Sequence, residues 1–199
     1  MPVDRFDAGR QPAGRAPAPG RLAFVQAFLN SFWDLDAGGV ERWSDTPAYV
    51  GWLHERGFQG AATADDLATA IALREALRAL ALANHDDVPA PAAEAALDRI
   101  AARVAPRAGL TPRFASDGGA PGLDVAGTGP DAALALVLGI VFAARLDGTW
   151  PRLKACPHAR CGWAFYDRSS NASATWCSMA VCGGRVKAGT YYRRRRAGG

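Results

Sequence analysis

Apolar residues recur at spacings of three and four along most of the chain before residue 150, which is the pattern of helices that bury one face. The pattern predicts five helices. They begin near Leu22, Thr46, Thr63, Pro91 and Pro130, and they end near Trp33, Gly57, Ala83, Val104 and Asp147, respectively. The last of them is apolar on all sides, so we expect it at the centre of the core.

The pattern changes to short extended segments after residue 110. Thr111–Ala115 and Leu123–Ala126 flank the turn-rich stretch SDGGAPG, which predicts a β-hairpin. Residues 1–20 offer few large apolar side chains, so we expect a flexible leader there. The stretch DGTWPRLK then predicts a hinge. The expected fold is a mainly helical α+β domain with a short hairpin at 21–150, followed by a small four-cysteine module with a basic tail at 151–199.

All four cysteines of the chain lie in this last part, as two C-x4-C pairs. The pairs are Cys156 with Cys161 and Cys177 with Cys182. Four thiolates suit Zn²⁺ in a closed tetrahedral site, and such a closed site is structural because it leaves no position for a reacting water. Gly162 and the doublet Gly183-Gly184 each follow the second cysteine of a pair, where we expect positive φ angles.

Other interpretations of the cysteines remain open at this stage. A redox disulfide pair and an iron–sulfur cluster both use cysteines in pairs. His158, inside the first pair, is an alternative ligand, although it would leave one thiol unused. The longest apolar run, Ala132 to Ala144, is shorter than the roughly 18–20 residues of a membrane span, and no secretory signal is recognisable. We therefore expect a cytoplasmic protein without a membrane partner, where metal ligation is favoured over disulfides.

Charge is distributed unevenly along the chain. Residues 152–199 carry a formal charge of +9, whereas residues 1–151 carry −5. The cations after the last cysteine are Arg185, Lys187, Arg193, Arg194, Arg195 and Arg196. Guanidinium groups pair bidentately with phosphate, so these six residues are candidate contacts for nucleic acid. A solvated tail, or a contact with an acidic protein or a lipid surface, would give the same composition.

The cysteine segment resembles the CGNR zinc finger family. The family pattern contains CGW-x-F-x-D-x-S and W-C-S-M-x-x-C-G-N-R-x-K, and the chain has CGWAFYDRS at 161–169 and WCSMAVCGGRVK at 176–187. Two departures are Gly184 in place of the family's Asn, and Ala174-Thr175 in place of Arg-Arg. Members usually carry a preceding ABATE domain, and the stretches LAFVQAFLN and YVGWLHERG are loosely similar to it.

This resemblance implies a zinc-binding transcription regulator that contacts DNA through the finger and senses a small-molecule effector or forms a homodimer through the larger domain. A protein-interaction adaptor and a zinc-based redox switch are the alternatives. We expect no enzymatic activity, because the sequence contains no phosphate loop, HExxH motif or nucleophile elbow. Four aromatic residues of the larger domain, Trp33, Trp43, Tyr49 and Trp52, are expected in the core, with a ligand pocket as the alternative.

Overall fold

The computed structural model describes residues 6–33, 40–114 and 121–189. Within these residues it contains all five predicted helices. They are α1 (Leu22–Leu29), α2 (Thr46–His54), α3 (Ala64–Ala83), α4 (Pro91–Ala108) and α5 (Pro130–Leu146). The start of α3 follows from its sequence: the Thr63 hydroxyl accepts from the Asp66 amide at 3.2 Å, and the Asp66 carboxylate accepts from the Thr63 amide at 2.8 Å.

The described residues also form three two-stranded antiparallel sheets. They are β1 (Phe32–Trp33) with β2 (Val40–Glu41), β3 (Leu110–Arg113) with β4 (Gly122–Val125), and β5 (Leu153–Ala155) with β6 (Ala164–Tyr166). The β3–β4 pair is the predicted hairpin, one residue earlier than expected. The prediction that the first helix reaches Trp33 is wrong, because α1 ends at Leu29 and the next two apolar residues form β1.

The core of the larger domain is built around α5, as its apolar sequence predicted. The helix packs against α4, α1 and the β3–β4 hairpin. Gly139 lets the hairpin approach, because a Cβ at this position would lie 3.1 Å from the Leu123 Cβ. Trp43, Tyr49 and Trp52 are buried in the same core, with the Trp43 ring centroid 5.1 Å from each of the other two. Core packing therefore accounts for these three aromatic residues.

The stretch between α5 and the cysteines packs against the larger domain, whereas its role as a hinge stays a prediction. Trp150 and Leu153 are buried in the main core, and so are Ala164 and Tyr166 of β6. Apolar burial of β5 and β6 thus joins the cysteine module to the larger domain. Among the described residues, the helices lack the combination of length and apolar content that crossing a bilayer requires.

Candidate metal centre and its surroundings

The first cysteine pair lies on the connection between β5 and β6. Cys156 follows β5, and its amide donates to the Trp163 carbonyl at 2.9 Å. The Cys161 amide donates to the His158 carbonyl at 2.9 Å, which closes a tight turn. Gly162 has a φ of +63°, so the predicted left-handed residue after Cys161 is confirmed.

The second cysteine pair lies around the start of a helical segment. Ser178 caps it, with its hydroxyl accepting from the Val181 amide at 3.3 Å. A π-helical turn, Met179–Gly183, follows and continues as α-helix over residues 184–189. A helix was expected here. Cys177 thus precedes the cap, and Cys182 lies one turn inside the segment.

The glycine doublet after Cys182 does not have the predicted positive φ. Gly184 has a φ of −62°, which any L-residue adopts, so the family's Asn would fit the same backbone. At Gly183 space matters more than φ: a Cβ there would lie 2.7 Å from the Met179 Sδ and 3.1 Å from the Trp176 Cδ1, so the Met179 side chain would have to move. The Met179 side chain therefore crosses directly over Gly183.

The four cysteine sulfurs converge on one point. All Sγ atoms lie within 4.8 Å of one another, and the Cys161–Cys177 and Cys177–Cys182 pairs are 3.6 and 3.7 Å apart. Four sulfurs about 2.3 Å from a common Zn²⁺ in a tetrahedron would lie about 3.8 Å apart. The side chains are at most 3% exposed. The spacing and the burial both fit a closed tetrahedral metal site.

The protonation of the cluster also favours a cation. Hydrogen bonds from Cys161 and Cys177 lower the pKa of Cys156 to about 2, whereas the hydrogen bond to Cys156 raises the pKa of Cys161 to about 12. The hydrogen bond to Cys156 also raises the pKa of Cys177, and burial raises the pKa of Cys182. Ionisation of more than one of four sulfurs this close together is unfavourable without a cation. A divalent metal would allow all four to ionise.

Asp167 orders the loop that connects the two cysteine pairs. It is fully buried, and its carboxylate accepts from Lys154 Nζ at 3.1 Å, the Ala174 amide at 2.8 Å and the Ser169 amide at 2.9 Å. Burial raises the pKa of Asp167, but the hydrogen bonds from Ser169, Lys154 and Ala174 outweigh it and lower the pKa to about 2. Lys154, which contributes to the positive charge of residues 152–199, is 3% exposed and belongs to this internal pair.

Residues 6–20, assigned by composition to a leader, contact the cysteine module closely. Arg15 donates from Nε to the Cys177 carbonyl at 2.8 Å and from Nη2 to the Trp176 carbonyl at 3.1 Å. Its guanidinium lies 4.9 Å from the Phe165 ring centroid. Gln11 is buried and accepts from Trp163 Nε1 at 3.1 Å. Composition gave no sign of these contacts, whereas the flexibility of the segment stays a prediction.

Helices α1 and α3 also hold the module. Asn30 pairs with both backbone groups of Ala164, at 2.8 and 2.9 Å. Arg78 of α3 donates to the Gly162 carbonyl, and to the Leu29 carbonyl at 2.7 Å, so it caps the end of α1. Burial lowers the pKa of Arg78. These polar contacts link the first turn of the metal centre to the larger domain.

His158 takes part in the turn and not in the cluster. Its Nδ1 accepts from the Arg160 amide at 3.2 Å. In the described part of the chain, the group that could hold a metal consists of the four cysteines alone. The candidate ligand set is therefore the one the sequence predicted, without the histidine alternative.

The candidate nucleic-acid contacts are only partly within the described structure. Arg185 and Lys187 are exposed on the helical segment 184–189. Met179 and Val181, just before them, are 53% and 41% exposed although apolar. Arg193, Arg194, Arg195 and Arg196 lie outside the described residues. The last turn of the metal centre therefore continues into a surface with both cationic and apolar side chains.

Comparison with known proteins agrees with this architecture. The family model described as "CGNR zinc finger" matches residues 152–195. A second family model, ABATE, described as "Putative stress-induced transcription regulator", matches residues 22–147. No curated protein matches the chain significantly. The chain belongs to the ABATE family and carries a CGNR zinc finger after the ABATE domain, as the motifs indicated.

Proposed function

We propose that this protein is a cytoplasmic, non-enzymatic transcription regulator that binds Zn²⁺ through Cys156, Cys161, Cys177 and Cys182 and contacts DNA through the finger. The observation that carries the proposal is the convergence of four buried sulfurs directly before a helix with exposed cations. The larger domain then supplies a second function, which is either the binding of a small-molecule effector or the formation of a homodimer.

Zinc is the metal favoured by the ligand chemistry. Four thiolates in a closed, buried set match a structural Zn²⁺ site, in which the ion binds the two turns together. Its role would be to fix the helical segment 179–189 relative to β5 and β6. The thiols must ionise for this, so zinc affinity should fall as the pH falls.

Native mass spectrometry of the purified chain tests the metal and its ligands. We expect one zinc ion per chain, its loss in Cys161→Ser, and its retention in the matched control His158→Ala, because His158 serves the turn. Iron with inorganic sulfide would support a cluster instead. Retention of zinc by Cys161→Ser, or its loss from His158→Ala, would contradict the ligand assignment.

The burial of the sulfurs favours a structural zinc site over a redox switch. Thiolates that respond to oxidants are usually accessible, whereas these four side chains are at most 3% exposed. In the zinc-loaded protein we expect mild peroxide to leave four titratable thiols after denaturation. Release of zinc at substoichiometric peroxide would favour the switch.

Nucleic-acid binding is supported by the position of the cations. Arg185 and Lys187 are exposed on the helical segment that begins at the second cysteine pair, so both cations lie close to the candidate metal centre. Each phosphate that a cation neutralises releases counterions. For each such phosphate, the binding constant falls by about 0.9 logarithmic units when the salt concentration rises tenfold. Exposed Met179 and Val181 beside them offer apolar contact to sugars or base edges.

A salt series with a short mixed-sequence DNA duplex tests this surface. Lys187→Gln should weaken binding and reduce the salt slope by about 1, because one phosphate contact is lost. Arg99→Gln, which removes an exposed cation from α4, is the charge-matched control and should leave the slope unchanged. Exchange of Arg193–Arg196 for Gln should reduce the slope further. Absence of binding at low salt would favour the adaptor, and equal effects of Lys187→Gln and Arg99→Gln would rule out this face.

Effector binding is supported by a cleft in the larger domain. The cleft lies between the start of α1, the hairpin and α5, and has a volume of about 690 Å³. This volume is within the range of small-molecule pockets. Mostly apolar walls with Arg21, Arg113, Asp124 and Asp147 at the rim favour a small amphipathic ligand. A thermal-shift screen should find compounds that stabilise the wild type but not Ala143→Trp, which fills the cleft.

A further inference from the structure

A groove with apolar walls runs over the surface between α4, the β3–β4 hairpin and α5. Its volume is about 270 Å³. The apolar lining includes Leu97, Ala101, Leu110, Leu123, Leu138 and Phe142. The leucines among them are only partly buried. An apolar ridge of another molecule could therefore gain contact area here without any rearrangement of the core.

An apolar ridge stands directly beside this groove. Phe142 and Leu146 are 57% and 75% exposed, and their i, i+4 spacing places them on one face of α5. Phe142 also forms one wall of the groove, so ridge and groove are continuous. Single exposed apolar residues are common, but an aromatic residue and a leucine next to an apolar groove mark a contact surface.

The charges around the groove are of both signs. Arg145 of α5 lies 3.2 Å from Glu94 of α4, and Asp98 follows Glu94 by one helical turn. The two carboxylates disfavour nucleic acid on this side of the molecule. A surface with a basic group on one helix and acidic groups on the other is complementary to its own copy turned by 180°.

We propose that a second copy of this chain docks on this groove, in a two-fold dimer in which Phe142 and Leu146 of each copy enter the groove of the other. In this arrangement Arg145 of one copy faces Asp98 of its partner. Such a contact is isologous and closes after two copies, because each ridge fills one groove. The proposed dimer deepens the proposed function, because it assigns the homodimer to one surface of the larger domain. Its formation depends neither on which metal the cysteines bind nor on binding to DNA.

Sedimentation equilibrium of the metal-loaded full chain, without nucleic acid, tests the proposal. The wild type should dimerise with a micromolar dissociation constant. Leu146→Glu and Phe142→Glu should each weaken dimerisation by at least about tenfold, because a charge would be buried in the apolar groove. Val88→Glu is the matched control: Val88 is 53% exposed outside the groove, and its replacement should leave the dimer intact.

A charge reversal tests the orientation of the two copies. Asp98→Arg should weaken dimerisation by repulsion from the partner's Arg145, while it leaves the Arg145–Glu94 ion pair within each copy in place. Circular dichroism confirms that each variant is folded. A monomer at all concentrations overturns the proposal, as does equal weakening by Leu146→Glu and Val88→Glu. Failure of the DNA salt series would leave this result unaffected, so the two proposals are tested separately.

Discussion

Replacement of Arg15 by methionine removes a guanidinium that connects residues 6–20 to the second cysteine turn, while it keeps an unbranched apolar stem. The lost contacts are two hydrogen bonds, to the Cys177 carbonyl at 2.8 Å and the Trp176 carbonyl at 3.1 Å, and the position over the Phe165 ring. Hydrogen bonds from a charged group contribute about 1.5–3 kcal/mol each when buried. Arg15 is only half-buried, and water replaces part of the loss, so we expect a net cost of about 2 kcal/mol.

This cost should appear in the metal affinity. The carbonyls of Trp176 and Cys177 are in place for Arg15 only when the second cysteine turn is formed, and a metal bound to Cys177 and Cys182 would stabilise that turn. A loss of about 2 kcal/mol then corresponds to about 30-fold weaker zinc binding at neutral pH. Arg15→Lys should recover little of it, because one ammonium cannot donate to both carbonyls and also stack on the ring.

Competition with a chromophoric zinc chelator measures the effect. Arg10→Met is the matched control, since Arg10 is an exposed arginine of the same segment. Zinc affinities of Arg15→Met and Arg10→Met that agree within threefold would refute the reasoning. A zinc affinity of Arg15→Met equal to that of the wild type would also refute it, because residues 6–20 would then contact the finger without stabilising it.

Three further predictions concern the metal centre and its loop. Cys161→Ser should lower the melting temperature of the whole chain in one transition, because β6 lies in the main core; separate transitions in calorimetry would show independent modules. Asp167→Asn should cost about 2 kcal/mol at pH 7, judged from the lowered pKa. Since the folded pKa is depressed, that difference is complete above about pH 4 and declines as the pH falls towards 2, which urea unfolding over a pH series would measure. Gly183→Ala should weaken zinc binding by displacing Met179, whereas Gly184→Ala, whose nearest contact is at 3.5 Å, should not; equal zinc affinities would contradict the steric argument.

Local sequence signals predicted most of the elements. Proline at the start of a helix and the Thr63–Asp66 capping box act within one turn, so they can be recognised in the sequence. The cysteine spacing likewise predicted a cluster that the structure brings within 4.8 Å. The error at Phe32 and Trp33 has the same local origin, because apolar spacing alone does not distinguish a helix end from a short strand.

Long-range polar contacts were beyond the reach of the sequence. From the sequence alone, Lys154 is expected to be a surface cation. Only its pairing with Asp167 makes its burial possible. Gln11 and Arg15 are polar residues in a Pro- and Gly-rich stretch, and their partners lie more than 150 positions away. Positive φ was predicted correctly at Gly162, where the chain turns, and wrongly at Gly183, which lies in a helical turn next to the Met179 side chain of the same turn.

The contacts between residues 11–30 and the finger have a consequence for synthesis of the chain on the ribosome. Gln26 and Asn30 donate to the Ala164 carbonyl, and Gln11 accepts from Trp163, so these contacts with the finger form only when the chain is almost fully translated. Until then α1 would lack its contacts with β6 and would expose part of its surface to solvent or to chaperones. Nascent chains arrested before residue 160 should therefore be more sensitive to proteases throughout α1 than chains arrested beyond the finger.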